Sequence, residues 1–405
     1  MFIYNIFIRF YGLAILIASL FNDKAKKWVK GRKKASKNWP EINDENVAWF
    51  HCASLGEFEQ ALTVIDELKS KYFILITFFS PSGYEQKKNF KDANYICYMP
   101  LDTPKNAKKF LKHFKPKKAF FVKYEFWLNY IKQAEKQSCK LYSLSTLMRK
   151  NQVFFKWYGG IFRSNLKKFS HFFVQNEETK NLLNSIKIHQ VSITGDTRYD
   201  RVIKRKNNIR PNKIIQNWIK EEKAWVIGSS WKKDEEICVP IVNNTKTKVI
   251  IAPHEINDRK IKRLTQSLHR NYFQFSKIIS NEVDYIPDDT EVLVLDCIGY
   301  LAEAYYFGKY AYVGGGFGTG LHNILEPAAF NLPVIFGPIH VKFPEAKIFI
   351  EKGIGFSVEN SSELEREITD LEENKSKYKE KVSLYMQKQA GASEKVLKEI
   401  NFTTL

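Results

Sequence analysis

The chain has 405 residues, 44% hydrophobic and 27% charged, which excludes a disordered or fibrous protein and is the size of two α/β domains rather than one core. Sixty-four Lys and Arg against 44 Asp and Glu leave a formal charge of +20, an excess that favours an anionic partner: nucleic acid, an anionic membrane or a phosphorylated lipid. Five scattered cysteines, none in a C-x-x-C spacing, read as free thiols rather than as a disulfide framework or a zinc site.

The first element is apolar. Residues 1–21 (MFIYNIFIRFYGLAILIASLF) carry a single charge, Arg9, and are followed by the basic run KAKKWVKGRKK at 24–34. A helix of that length reaches roughly 30 Å, one hydrocarbon thickness, but Arg9 leaves only Phe10 to Phe21 free of charge. The pattern predicts an interfacial or partly inserted anchor whose basic flank stays on the cytoplasmic side and grips anionic headgroups. A cleaved signal peptide is the competitor. It lacks its charged n-region here, and the basic cluster stands on the wrong side.

From Val47 onward, short apolar runs alternate with amphipathic stretches. Strands are predicted at Val47–His51, Phe73–Phe78, Lys118–Val122, Leu141–Leu144, Phe172–Val174 and Val191–Thr194, with helices at Glu57–Lys69, Pro104–His113 and Glu177–Ser185. The polar, basic stretch from Asp200 to Gln216 reads as a linker. A second series follows at Trp225–Gly228, Lys248–Ala252, Val292–Leu295, Tyr310–Val313 and Pro333–Phe336, and 362–400 is charged and helical. The domain reading is therefore an anchor at 1–34, a first domain at 35–205 and a second at 206–405. This alternation predicts two doubly wound, Rossmann-like domains with ligands at the carboxyl ends of their sheets, facing across a cleft.

Five loops are placed to carry chemistry. His51 to Glu57 (HCASLGE) follows the first strand and puts Glu57 at a helix N-terminus. A carboxylate there serves as a general base toward a hydroxyl, or only complements the helix dipole; position alone leaves both open. Lys123 to Trp127 (KYEFW) presents Glu125 after another buried strand. Val313 to Pro327 (VGGGFGTGLHNILEP) holds five glycines within seven residues, a loop suited to phosphate or only a flexible glycine turn, with Gly318, Gly320, His322 and Asn323 as candidate ligands of the nucleotide and Glu326 as acceptor from its ribose hydroxyls. Gly228 to Trp231 (GSSW) offers Ser229 and Ser230 to a phosphate, or a plain N-cap. Ala252 to Glu255 (APHE) offers His254. No D-x-D and no H-E-x-x-H occurs; the absence of D-x-D leans toward metal-free catalysis, and no cofactor is expected.

These motifs together resemble those of the transferases of 3-deoxy-D-manno-octulosonic acid (Kdo), glycosyltransferases of the GT-B fold. His51–Glu57 is similar to H-x-A-S-x-G-E, Thr194–Asp200 to T-G-N-x-K-[FY]-D, Asp296–Leu301 to D-T-x-G-E-L and Gly320–Pro327 to G-G-H-N-P-L-E-P, in the same order along the chain. The resemblance implies CMP-Kdo as donor and a glucosamine hydroxyl of a phosphorylated lipid A precursor as acceptor, at the cytoplasmic face of the inner membrane. It implies inversion, with Glu57 as base, Glu125 beside it, and Asn323 and Glu326 on the nucleotide. Ser229, Ser230 and the glycine loop would steady the leaving phosphate.

The chain departs from the family pattern at Lys123, where an acidic residue is usual, and at Trp231, where a His is usual. It departs again at His254-Glu255, where the family reads Arg-His. Rival readings are another GT-B transferase, a GT-B-like epimerase without a lipid acceptor, and a nucleic-acid-binding protein. The last would need an aromatic-interleaved basic stripe, whereas the lysines here are dispersed over helix faces such as Lys105, Lys108, Lys109 and Lys112.

Overall fold

The computed structural model describes residues 1–35, 39–43, 46–318 and 320–402. Two compact units emerge: Met1–Arg201 together with Gly391–Leu405, and Val202–Ala390. The boundary differs from the sequence reading at both ends. The stretch read as a linker is helical, at Thr197–Asn208 and Lys213–Ile219, and the division falls inside the first of these helices. The C-terminal helix Ala392–Phe402 belongs to the first unit, not to the second.

That helix buries Val396 and Ile400 in the first unit's core, and polar contacts fix its start and end. Asp200 accepts from the Gly391 N–H through Oδ1 (2.7 Å) and from the Ser393 N–H through Oδ2 (2.6 Å). The two hydrogen bonds satisfy donors at a helix start that has no other use for them. Thr63 and Ser393 share a hydroxyl bond (2.6 Å), and Lys118 Nζ donates to the Ile400 carbonyl (3.1 Å).

The first unit holds a seven-stranded sheet: β1 (Val47–Cys52), β2 (Phe73–Phe78), β3 (Tyr95–Tyr98), β4 (Lys118–Val122), β5 (Lys140–Thr146), β6 (His171–Val174) and β7 (Val191–Ile193). Their spatial order is β3-β2-β1-β4-β5-β6-β7, and every pairing is parallel. The reason is in the side chains. Along β1 all six residues are buried; Val47 and Trp49 enter one core with Leu75 and Phe121, and Ala48, Phe50 and Cys52 enter the other with Ile74 and Ile76. A strand apolar on both faces needs helices on both, as βαβ crossovers provide.

The second unit repeats the plan with β8 (Ala224–Ser230), β9 (Val249–Pro253), β10 (Tyr272–Gln274), β11 (Val292–Val294), β12 (Gly308–Val313), β13 (Val334–Phe336) and β14 (Gly355–Ser357). Its order is β10-β11-β9-β8-β12-β13-β14, again all parallel. Strands β3, β10 and β14 escape sequence reading because they are edge strands of three or four residues with at most one β-branched residue each, whereas the equally short β7 has two.

The N-terminus forms two helices, α1 (Phe2–Ala18) and α2 (Asp23–Ala35). Among the described residues no helix is long and apolar enough to cross a membrane. Helix α1 instead lies with one stripe against the first unit. Ile8 is buried, Tyr4 donates to Asp102 (2.6 Å), and Asn129 donates to Asn5 (2.9 Å). Gly12 lets the helix close on Leu101, since a Cβ there would stand 2.6 Å from its side chain. The opposite stripe, Phe2, Ile3, Phe7, Phe10, Leu13 and Ile17, stays exposed. Helix α2 buries Trp28 and Arg32 and turns its lysines outward.

Candidate active site

Each sheet reverses its winding at one point: between β1 and β4 in the first unit, and between β8 and β12 in the second. Loops at the carboxyl ends of strands that flank such a point splay apart and leave a crevice. Four of the five candidate loops stand there. The His51–Glu57 loop follows β1, Lys123–Trp127 follows β4, Gly228–Trp231 closes β8, and the glycine loop follows β12.

In the first unit, helix α3 (Leu55–Leu68) starts from Ser54, and Glu57 is its N3 residue. Glu57 Oε2 accepts from both the Ser54 N–H (2.5 Å) and the Ser54 hydroxyl (2.7 Å). The helix-dipole reading is therefore physically present, since Glu57 closes a capping box. It does so with one oxygen, and the carboxylate is held in one orientation as a result. Glu57 is only 8% exposed.

Glu125 stands on the neighbouring loop, whose first residue, Lys123, adopts φ +60°, a conformation uncommon outside glycine and frequent at functional turns. Burial raises the Glu125 carboxyl from its ordinary 4.5 to about 7, and the charge of Glu57 adds to the rise. Two carboxylates at one switch point, one of them poised near neutrality, are an arrangement that takes and gives protons.

His51 is not free to act. It is fully buried; Trp127 Nε1 donates to its Nε2 (3.0 Å), and its Nδ1 lies 2.9 Å from the Thr77 hydroxyl. The Trp bond makes Nε2 the acceptor and places the ring proton on Nδ1. Burial depresses its pKa to about 3, so the ring is a neutral brace for Trp127, the last residue of the Glu125 loop.

In the second unit Ser229 takes φ +54°. Ser230 is buried, its carbonyl accepts the His254 N–H (2.9 Å), and its hydroxyl reaches Glu235 (3.4 Å). Glu235 also binds Arg263 (2.5 Å). A recess of about 220 Å³ here is lined by Ser230, Lys232, Glu235, Glu255, Lys260 and Arg263 among others, with Lys260 paired to Glu255. Two residues that depart from the family pattern, Trp231 and His254, stack with His322, which matches it. The rings of Trp231 and His254 lie 4.5 Å apart, those of His254 and His322 4.3 Å, and Trp231 Nε1 donates to His322 Nε2 (3.0 Å). Burial, then the neighbouring His254, lowers the His322 imidazole to about 4.

The glycine loop is more constrained than its sequence implies. A Cβ on Gly314 would stand 2.3 Å from the Ser229 carbonyl, one on Gly315 2.2 Å from that of Gly320, and one on Gly316 2.6 Å from the Gly337 nitrogen. Packing accounts for these three, and Gly315 is required by its φ of +93° as well. Gly318 and Gly320 meet no such obstacle and are required by φ +132° and +108°. The N–H groups of Gly314, Gly320 and His322 donate to carbonyls of Gly228, Gly315 and Gly314. Thr319 lies outside the described residues. Nor does the loop open directly onto a helix. The helix begins at Leu325, and Asn323 accepts from the Leu325 N–H (3.1 Å) as a local cap. Glu326 pairs with Arg205 (2.6 Å).

Asp234 and Arg205 went unread in the sequence. Asp234 is fully buried; its Oδ2 accepts from the Gly315 and Trp231 N–H groups (both 2.9 Å), and its Oδ1 accepts from Tyr312 (2.8 Å). It ties the β8 turn to the glycine loop. Its only sequence signal is an acidic residue three after Trp231, the N3 position of a helix start.

Comparison with known proteins bears on both units. Residues 26–201 match the family described as 3-deoxy-D-manno-octulosonic-acid transferase (kdotransferase). The 3-deoxy-D-manno-octulosonic acid transferase of Aquifex aeolicus is 29% identical over 335 residues, 81% of this chain and 87% of its own. Among solved structures, the UDP-GlcNAc 2-epimerase from Neisseria meningitidis superposes with a TM-score of 0.60 at 17% identity, over 87% of this chain and 98% of that one. MurG of Acinetobacter baumannii does so at 0.57 and 12%, over 88% and 99%.

Two all-parallel, doubly wound sheets with these neighbours define the GT-B fold, and the sequence similarity to Kdo transferases marks the chain as a glycosyltransferase. Within that class it is related to the Kdo transferases, as the motif resemblance implied.

Proposed function

We propose that the chain transfers Kdo from CMP-Kdo, with inversion, to a glucosamine hydroxyl of a lipid A precursor in lipopolysaccharide synthesis. The observation that carries this reading is the carboxylate pair at the β1/β4 switch point, with Glu125 held near neutrality. Glu57 takes the proton of the acceptor hydroxyl. The hydroxyl oxygen bonds to the anomeric carbon as the bond from that carbon to the CMP phosphate oxygen breaks, and the electron pair leaves with CMP. In the second unit Ser229, Ser230, His254, His322 and the cations Lys260 and Arg263 stabilise that departing charge. Asn323, Glu326, Gly318 and Gly320 hold the nucleotide, Glu326 by exchanging its Arg205 partner for ribose hydroxyls.

The same reading places the protein on the cytoplasmic face of the inner membrane. Two features support it. The outward stripe of α1 is apolar except for Arg9, an unusually large exposed patch for a water-facing helix. Beside it, a groove of about 700 Å³ is lined by Lys26, Lys27, Lys30, Lys34 and Lys88. The first four are exposed and make no ion pair among the described residues, so their charge is available to anionic headgroups.

The test is transfer from CMP-Kdo to lipid A precursor by detergent-solubilised protein, wild type beside Glu57→Gln, with EDTA present. Product from the wild type and a loss of at least ~10²-fold in the variant are expected. Full activity in Glu57→Gln would move the base to Glu125. No wild-type transfer from CMP-Kdo would refute the donor assignment.

A further inference from the structure

The basic run that flanks α1 contains one residue unlike the rest. Arg32 is 7% exposed, while Lys26, Lys27, Lys30 and Lys34 around it face outward. Its Nε donates to the Met99 carbonyl (2.9 Å) and its Nη2 to the Phe79 carbonyl (2.8 Å). Its guanidinium lies over the rings of Trp28 (3.5 Å) and Phe79 (4.7 Å). Burial lowers its proton affinity, but a guanidinium remains charged at neutral pH.

Phe79 is the centre of a second arrangement. Its ring stacks on Tyr11 of α1 (6.3 Å, 23° between planes) and on Trp127 (4.8 Å, 22°). Trp127 is two residues from Glu125 and is fixed on its other side by His51. A continuous path of contacts therefore runs from both N-terminal helices to the loop that carries Glu125.

We propose that the Tyr11–Phe79–Trp127 stack, pinned by the buried guanidinium of Arg32, is the positioning element of the Glu125 loop, so that seating α1 and α2 on the first unit sets the state of the proton-transfer pair. Arg32 and Phe79 are positioning residues; neither need touch substrate. The anchor is then part of the site as well as its tether. The charged or titratable groups that bear on this region are Glu57 from α3, Tyr11 from α1, Arg32 from α2, His51 from β1, Cys97 and Tyr98 from β3, and Tyr130 from the helix that starts after Trp127. The Tyr11 hydroxyl is raised by burial, pulled back by Arg32 and raised further by Glu125, as expected for a phenol within electrostatic reach of both.

The inference rests on the role given to Glu125 above, so its test is chosen to stand apart from transfer activity. In protein carrying 13C-labelled glutamate, the Glu125 carboxyl is titrated by NMR, assigned by its loss in Glu125→Gln. The wild type, Arg32→Gln and Phe79→Leu are compared, with thermal melting confirming that each variant is folded. Removing ring cover or the guanidinium pin admits water to the loop, so the Glu125 midpoint falls from near neutrality by at least about one pH unit in both variants. In the transfer assay the same variants lose kcat about tenfold or more, with CMP affinity unchanged, because the nucleotide contacts are made by the second unit. A Glu125 midpoint that stays in place in two folded variants overturns the proposal. If the wild type fails to transfer Kdo, the donor assignment falls, and the titration still decides the stack.

Discussion

Glu125→Gln removes a charge that the fold holds against its own preference, and the consequence is a gain in stability with a defined pH window. The carboxyl is raised from 4.5 to about 7 in the folded chain, so the folded state binds the proton more tightly than the unfolded state. Wild-type stability is then greatest below about 4.5, falls as pH rises between the two values, and carries the full penalty above about 7. Two and a half pH units at about 1.4 kcal/mol each come to about 3 kcal/mol. Because the side chain is half-buried rather than sealed, the expected effect is about 1–3 kcal/mol. Glutamine keeps the shape and loses the charge, so the variant is more stable than the wild type at pH 8 and equal to it at pH 4.5. For a unit of about 200 residues this is about 2–4 °C per kcal/mol. The assay is differential scanning calorimetry at both pH values, following the transition of the first unit. An equal Tm at pH 8, or the same gain at both pH values, would refute the argument. Lost transfer alongside gained stability is the pattern of a carboxylate retained for its reactivity.

Three further outcomes are expected. Burial and His254 hold the His322 ring neutral at pH 7, so binding an anion beside it draws in a proton. CMP affinity measured by calorimetry then rises as pH falls from 7 to 5, and His322→Asn flattens that slope. Asp200→Asn loses the charge-assisted bonds to Gly391 and Ser393, at about 1–3 kcal/mol; hydrogen exchange over 392–402 should accelerate well beyond that of β1, and equal acceleration throughout would contradict a local latch. Reversing Lys26, Lys27 and Lys30 to Glu removes at least about 1 kcal/mol of membrane attraction each. Binding to phosphatidylglycerol vesicles should weaken about 10²-fold or more with Tm unchanged, and unchanged binding would leave the apolar stripe of α1 as the whole of the attachment.

The sequence was most legible where physics is local. Strands such as Phe73–Phe78 and Lys118–Val122 are continuous apolar runs bounded by polar turns, and their limits follow from composition alone. Glu57 and Glu125 were legible because each follows such a run into a helix start. The short strands β3, β10 and β14 were not, because each has at most one Val or Ile, against two in the comparably short β7, β11 and β13; nor was the boundary at Arg201, because the helix that crosses it is continuous.

The sequence by itself determined two parallel-sheet units, the loops that close their central strands, and a basic N-terminus with an apolar helix. These follow from hydrophobic period, glycine placement and charge, which each segment carries alone. Only the tertiary structure decided what the side chains in those loops do. It divided the glycines into two required by packing, two by backbone conformation and Gly315 by both, and made His51 a brace. It also drew Arg32 out of a lysine-rich run and under the rings of Trp28 and Phe79. Burial and partners separated by tens of residues set those roles, and neither is a property of a segment read in isolation.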